Sequence, residues 1–282
     1  DTGAGGEVSG NYATLNPLDV LKESGNTTST LSNGNLDVAF SSGTNAGNQH
    51  HSTIGVSSGK YYVEWTDNSS SPSINSQAFI AGVQDTATQG NFLSQAGGYG
   101  ITTGSVRQLW MNGTNTNYWW SGTPAQGDVY AIALDCDNNT IAFYRNGSSL
   151  GSAQSIPSGK TYVFAITVYE WQATPSVSVN FGQRAFAYSA PSGFKALNTA
   201  SLPTPTIEDG STAFDIDTYT GNGSTQERSE FSFEPDLVWI KARSATYNHY
   251  LVDQVRGFEF DDSNARVLQP NLTNSEESAN GP

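Results

Sequence analysis

Few side chains in this sequence could do chemistry, and their spacing argues against most of it. Glu64, Asp135 and Asp137 are the carboxylates on strand-like stretches that invite a catalytic reading. Glycoside hydrolysis on a β scaffold needs two carboxyl groups about 5 to 10 Å apart. Glu64 stands without the E-x-D-x-x-E run that would bring a second, and it reads as an outward-facing or hydrogen-bonded structural carboxylate. Asp135 and Asp137 share a strand face and form the best carboxylate pair, but they adjoin Asn138 and Asn139, where Asp and Asn serve turn geometry. His50 and His51 are neighbours, so on a strand they face opposite ways, and no third metal ligand accompanies them. Cys136 is the single cysteine, which excludes an internal disulfide framework and any multi-cysteine zinc site. It occupies an inward slot and reads as a small buried hydrophobe. There is no G-x-S-x-G and no phosphate-cradling glycine loop before a helix. The reading is a chain with no catalytic set, no metal site and no cofactor.

What remains is recognition. The stretch Arg107 to Trp120, RQLWMNGTNTNYWW, holds three of the six tryptophans. Aromatic faces stack on the apolar faces of sugar rings, so this stretch is a candidate ligand surface. The binding candidates are Tyr118, Trp119, Trp120 and Trp171, with Asn112 and Asn115 as hydrogen-bonding partners. The alternative is that these rings fill the core or a contact between subunits. Neighbours on a strand face opposite ways, so one of Trp119 and Trp120 is expected buried and the other at least partly exposed.

The elements that must position these residues are β-strands. From Gly127 to Gly151, Tyr130, Ile132, Leu134 and Cys136 alternate with smaller or polar residues; Asp137-Asn138-Asn139 turns the chain; Ile141, Phe143 and Arg145 resume the alternation before Asn146-Gly147. That pattern is a β-hairpin followed by a tight reversal. One face of each strand is buried, so a second sheet must cover it. Similar turn signals stand at Asn33-Gly34, Ser57-Ser58-Gly59 and Asn112-Gly113. Tyr61, Val63 and Trp65 share a face; Phe79 to Val83 is a short apolar strand; Thr161 to Trp171 is nearly continuous in β-branched and aromatic residues, with Ser176 to Phe181 read as its partner. Core candidates are Tyr130, Ile132, Leu134, Ile141, Phe143, Val163, Ala165, Val177 and Val179.

Composition agrees. With 29 glycines, 13 tyrosines, 13 phenylalanines and few helical heptads, the 282 residues read as all-β and long enough for a sizeable core. A formal net charge of −14 argues against a phosphate backbone as partner. No apolar run reaches the roughly 18 residues a membrane-spanning helix needs, and Asp1 opens no signal-peptide pattern. The one methionine is Met111, so the chain is expected to be a processed product or a piece of something longer.

Three of these stretches carry a family resemblance. The run Gly127-Asp128-Val129-Tyr130, Asp135, Asp137, Ile141, Phe143-Tyr144, Asn146-Gly147 and Leu150-Gly151 resembles the core signature of the SPRY (B30.2) family. Gly59, Lys60, Tyr62 and Glu64 are similar to a second family element, and Asn180-Phe181-Gly182, Phe186, Pro191, Gly193 and Phe194 to its closing signature. The resemblance spans about Asn11 to Leu197. It implies a concanavalin-like antiparallel β-sandwich that binds partners through loops at one edge and has no chemistry of its own.

The expected organisation is a glycine-rich linker over 1–10, the sandwich over 11–200, a proline-bearing linker over 201–206 and a smaller, partial β unit over 207–282. Strands are expected in this last unit at Thr212 to Thr218, Phe231 to Lys241 and Tyr250 to Val255. The runs YTGNG at Tyr219 to Gly223, PDLVWIKAR at Pro235 to Arg243 and NHYLVDQVRG at Asn248 to Gly257 are similar to a segment that follows SPRY-like modules in structural proteins of tailed bacteriophages, marine ones especially. That likeness implies a structural and binding module on the surface of a phage virion, in a tail fibre or another tail-associated protein. Its partners would be other virion proteins or copies of itself, and a host surface glycan, with no nucleic acid and no membrane insertion. The alternatives are a secreted cell-surface adhesin or glycan-binding module, and, further off, a glycan-degrading enzyme.

Overall fold

The computed structural model describes residues 10–22, 28–41, 48–72, 78–88, 90, 92–168, 174–204, 207–257 and 266–278. The chain divides into two compact units, Asp1–Pro203 and Thr204–Pro282.

The first unit is built of two antiparallel sheets. One runs in the order β1 (Leu15–Lys22), β4 (Asn48–Val56), β14 (Tyr162–Val168), β6 (Phe79–Asp85), β7 (Gly98–Thr102), β8 (Leu109–Met111), β9 (Thr114–Thr116). The other runs β12 (Ser148–Ser149), β11 (Thr140–Arg145), β10 (Val129–Asp135), β5 (Lys60–Asp67), β15 (Ser176–Asn180), β3 (Asp37–Phe40), β2 (Ser29–Ser32), with β13 (Gln154–Ser155) also on β11. Helix among the described residues is confined to 3-10 turns such as Thr86–Thr88 and Gly210–Thr212. The class is an antiparallel β-sandwich.

The hairpins close where turn chemistry demands. Asn146 and Gly147, at φ 49° and 77°, join Arg145 to its partner Ser148; Asn112 and Gly113, at 52° and 83°, join Met111 to Thr114. These positive angles give the twist that matches the flanking strands. Gly147 has a second reason: a Cβ there would lie 2.6 Å from Tyr188 Cδ1.

Period-two alternation then decides which residues meet between the sheets. Tyr61, Val63 and Trp65 of β5 and Tyr130, Ile132 and Leu134 of β10 join Phe79, Ala81 and Val83 of β6 in one buried cluster, with the Phe79 and Tyr130 rings edge-to-face at 5.9 Å. Fully burying each such side chain is worth about 1.5 to 3 kcal/mol. The ends of the unit are zipped together, Ala13 N–H donating to Leu197 O at 3.0 Å.

Three sequence expectations need correction. Thr161 to Trp171 and Ser176 to Phe181 do not pair: β14 lies between β4 and β6, whereas β15 lies between β5 and β3 in the other sheet. The chain crosses between layers there, which strand patterning does not encode. The phase of β14 is also the reverse of that expected. Tyr162, Phe164, Ile166 and Val168 enter the central cluster, while Ala165 is buried on the opposite face with Ile80 and Leu93, and Val163 is buried outside the central cluster. A strand buried on both faces carries no polar face to set its phase. In the second unit, Thr212 to Thr218 forms no strand beyond the 3-10 turn; its strands are β16 (Leu237–Ile240) paired with β17 (Tyr250–Asp253), and β18 (Arg266–Val267) paired with β19 (Glu277–Ser278).

The outer face of the second sheet is covered by the segment following β15. Phe186, Ala190 and Phe194 pack on Tyr62, Ala131 and Ala133, with the Tyr62 and Phe186 rings perpendicular at 4.9 Å.

Candidate functional site

The carboxylates turn out to be committed to the fold. Glu64, buried under the covering segment, accepts the Ala187 N–H at 2.8 Å and the Tyr188 N–H at 3.0 Å. Asp137 accepts the Gly59 N–H at 2.7 Å, and Asp135 holds Lys60 Nζ at 2.9 Å and the Asn138 N–H at 2.9 Å. Burial pulls the Asp135 carboxyl upward, but the Asn138 and Lys60 hydrogen bonds outweigh it and hold it below its ordinary range. Burial pushes the Cys136 thiol up to about 12, so it stays protonated and a poor nucleophile. Burial, with His51 and Lys22 nearby, lowers His50 to about 4; its Nε2 lies 2.7 Å from Ser29 Oγ. Burial also lowers His51, against the opposing pull of Asp19, whose carboxylate is 3.1 Å from its Nδ1. Both side chains are held by their neighbours, and burial disfavours the charged form of each. Among the described residues no three His, Cys, Asp or Glu side chains gather as a metal site.

The aromatic stretch behaves differently, because after the hairpin at Asn112-Gly113 the short strand β9 gives way to a loop over 117–120. Trp120 is buried, 3% exposed, donating its indole N–H to Thr102 O at 3.3 Å and packing on Tyr130 at 5.9 Å. Trp119 is half-buried, edge-on to Phe143 at 6.1 Å and close over Gly151. Tyr118 is 66% exposed. One tryptophan is buried and its neighbour partly exposed, though the loop and not strand alternation separates them. Asn112 and Asn115 are both exposed, but the Asn112 side-chain oxygen is taken by the Gly97 N–H at 2.8 Å, so its role is to hold the turn. Asn115 lies on the short edge strand β9. Trp171 lies outside the described residues.

Beside Trp120 the surface opens into a depression of about 370 Å³ lined by Ser121, Arg145, Asn146, Ser148, Ser149 and Leu150. Its wall is stiff. Asp128 accepts from Arg145 Nε at 2.8 Å, from Asn146 Nδ2 at 2.7 Å and from the Ala125 N–H at 2.7 Å, while Asn146 Oδ1 accepts the Val129 N–H at 2.8 Å. Charge-assisted bonds of this kind fix geometry as well as adding stability. Two guanidinium groups flank the Trp120 ring, Arg145 at 5.6 Å and Arg107 at 5.9 Å, and Arg107 also lies 5.5 Å from the Tyr118 ring. All three are cation–π distances.

Sequence reasoning missed Arg107, Arg145 and Ser121. The available signal was charge: only 12 cationic residues occur in a chain of net charge −14, and two of them converge on one tryptophan.

Residues 209–282 match a family described as a domain of unknown function, DUF7483. No curated protein matches the chain. Among solved structures, the chain is similar to the SPRY domain of human HERC1, at 17% identity over 58% of this chain and 96% of that one, with TM-score 0.42. It is similar to the PSpry domain of TRIM65 at 14% identity, covering 60% and 93%, with TM-score 0.44. Stonustoxin matches at 14% identity over 60% of this chain and 27% of its own, with TM-score 0.43. The sandwich described above rests on strand order and register in this chain.

Proposed function

We propose that the unit Asp1–Pro203 is a non-enzymatic recognition module and that its ligand surface is the loop cluster of Tyr118, Trp119 and the depression beside Trp120. One observation carries this reading. The carboxylates and histidines that could do chemistry are engaged in holding the fold, whereas Tyr118 stands 66% exposed on a guanidinium beside a rigid polar hollow. Recognition on a surface of this kind favours an aromatic anchor near fixed polar groups. The module belongs to a tailed-phage virion, in a tail fibre or another surface protein, and meets a host surface glycan. The virion assignment is supported by the likeness of Tyr219 to Gly257 to segments of phage structural proteins, and the exclusion of nucleic acid by the net charge of −14. A single stacked ring contributes on the order of 1 kcal/mol, so one site is weak and attachment depends on many copies displayed together.

The test is binding of the labelled full chain, presented multivalently, to host cells. Tyr118→Ala is expected to abolish it with an unchanged melting temperature. Wild-type binding by that variant would overturn the surface. Absence of the chain from purified phage particles, with its presence in the culture fluid, would overturn the virion assignment in favour of a secreted adhesin.

A further inference from the structure

We infer that Arg107, Tyr118 and the hollow beside Trp120 form a subsite for a carboxylate-bearing saccharide, with Arg107 taking the carboxylate; this rests on the recognition reading above. The first observation is electrostatic. Lys60, Arg145 and Lys160 of this unit each hold a carboxylate, Asp135, Asp128 and Asp85 respectively, and Lys22, Arg184 and Lys195 are exposed, whereas Arg107 is half-buried. Arg107 has no carboxylate partner among the described residues, and its Nε is buried without a hydrogen-bond acceptor. A buried donor left unpaired is costly, and guanidinium is the side chain best matched to a carboxylate.

The second observation is conformational. Among the described residues seven non-glycine positions have positive φ; five are asparagines, and the other two are Arg107 at 48° and Tyr118 at 50°, which face one another. Neither residue type adopts this region without cost. The strand-like bonds Tyr118 N–H to Val106 O and Trp119 N–H to Arg107 O, both 3.0 Å, hold the pair in place. The guanidinium is thus fixed over two aromatic rings before any ligand arrives, which removes part of the ordering cost of binding.

The third observation selects a saccharide over a peptide. Ser121, Ser148 and Ser149 line the hollow with hydroxyl groups, and Leu150 is its one aliphatic side chain. Sugar hydroxyls pair with such groups, and the exposed Tyr118 ring offers the stacking face. An acidic peptide would want pockets for its side chains.

Calorimetric titration of the full wild-type chain with oligogalacturonate and oligosialate, with their methyl esters and with an oligoglutamate peptide, is the deciding experiment. One of the acidic saccharides is expected to bind at least about tenfold more tightly than its ester, the scale of a charge-assisted hydrogen bond. Arg107→Gln should erase that preference and Arg107→Lys restore part of it. Should the glutamine variant fail to fold, the acid-to-ester ratio on wild-type protein decides alone. Equal binding of acid and ester, or tighter binding of oligoglutamate, overturns the inference. Absence of all saccharide binding also overturns it, yet leaves the recognition reading standing if Tyr118-dependent cell binding persists. Cell binding indifferent to Tyr118 removes the reading itself.

Discussion

Glu64 Oε2 accepts the Ala187 backbone N–H at 2.8 Å across 123 residues of sequence. Two of the sequence signatures, the one around Glu64 and the one from Asn180 to Phe194, thereby meet on the outer face of one sheet. Glu64→Ala is expected to cost about 2 to 3 kcal/mol in urea denaturation, because two backbone donors lose a charged acceptor. The same variant should speed amide exchange at Ala187 and Tyr188 selectively. An unchanged midpoint would show that the covering segment holds itself in place.

Trp120 is expected to be a core residue by energy. Trp120→Ala should destabilise by about 3 to 5 kcal/mol, the usual range for a buried large aromatic. Tyr118→Ala should stay within about 0.5 kcal/mol of wild type, as exposed positions do. Thermal melts of the two variants side by side check both statements.

Gly59→Ala is expected to be costly for two reasons. The residue sits at φ 84°, and a Cβ there would lie 2.9 Å from the Tyr61 hydroxyl. Strain of this kind costs on the order of 1 to 3 kcal/mol. Asp137→Ala, which removes the acceptor of the same Gly59 N–H, should cost about 1 to 2 kcal/mol. A double-mutant cycle should show the two changes to be coupled.

Stability should depend on pH through groups that pull in opposite directions. His50 falls from 6.5 to about 4 on folding, so its contribution is complete above pH 6.5 and is lost as pH drops toward 4. His51 acts in the same direction. Asp67, raised by burial from 3.8 to about 6 despite the opposing Ser69 hydrogen bonds, does the reverse: its contribution is present below pH 3.8 and is lost as pH rises through 6. The shifts of His50 and Asp67 each correspond to about 3 kcal/mol. Asp67→Asn is therefore expected to raise the melting temperature at pH 7 and to steepen the loss of stability on acidification between pH 6 and 4. A pH series of melts on both proteins reads this out, and a variant less stable at pH 7 would contradict it.

In the second unit the amides of Leu237–Ile240 are expected to exchange at least about a hundredfold faster than those of Val129–Asp135. A two-stranded ladder with little buried area opens locally, whereas a central strand opens only with the whole domain. Val129–Asp135 is buried along its length between β5 and β11, while Leu237 and Trp239 are exposed. Equal protection would show that the unit is closed by contacts other than its own strands.

The sequence alone determined what local chemistry controls. Alternation at Tyr130, Ile132 and Leu134 placed them in the core, and Asn-Gly pairs at 112 and 146 placed the hairpins, since side-chain period and left-handed backbone are properties of a few consecutive residues. The cross-layer arrangement was decided by the tertiary structure. β14 and β15 follow one another yet lie in different sheets, and the phase of β14 was invisible because both of its faces are buried. The candidate site was half legible. Tyr118, Trp119 and Trp120 stood out as a cluster, but which ring faces solvent depended on a loop in which Tyr118 takes an angle its residue type does not favour. Arg107 and Arg145 reach Trp120 from separate elements, and no local pattern records a distance between residues so far apart in the chain.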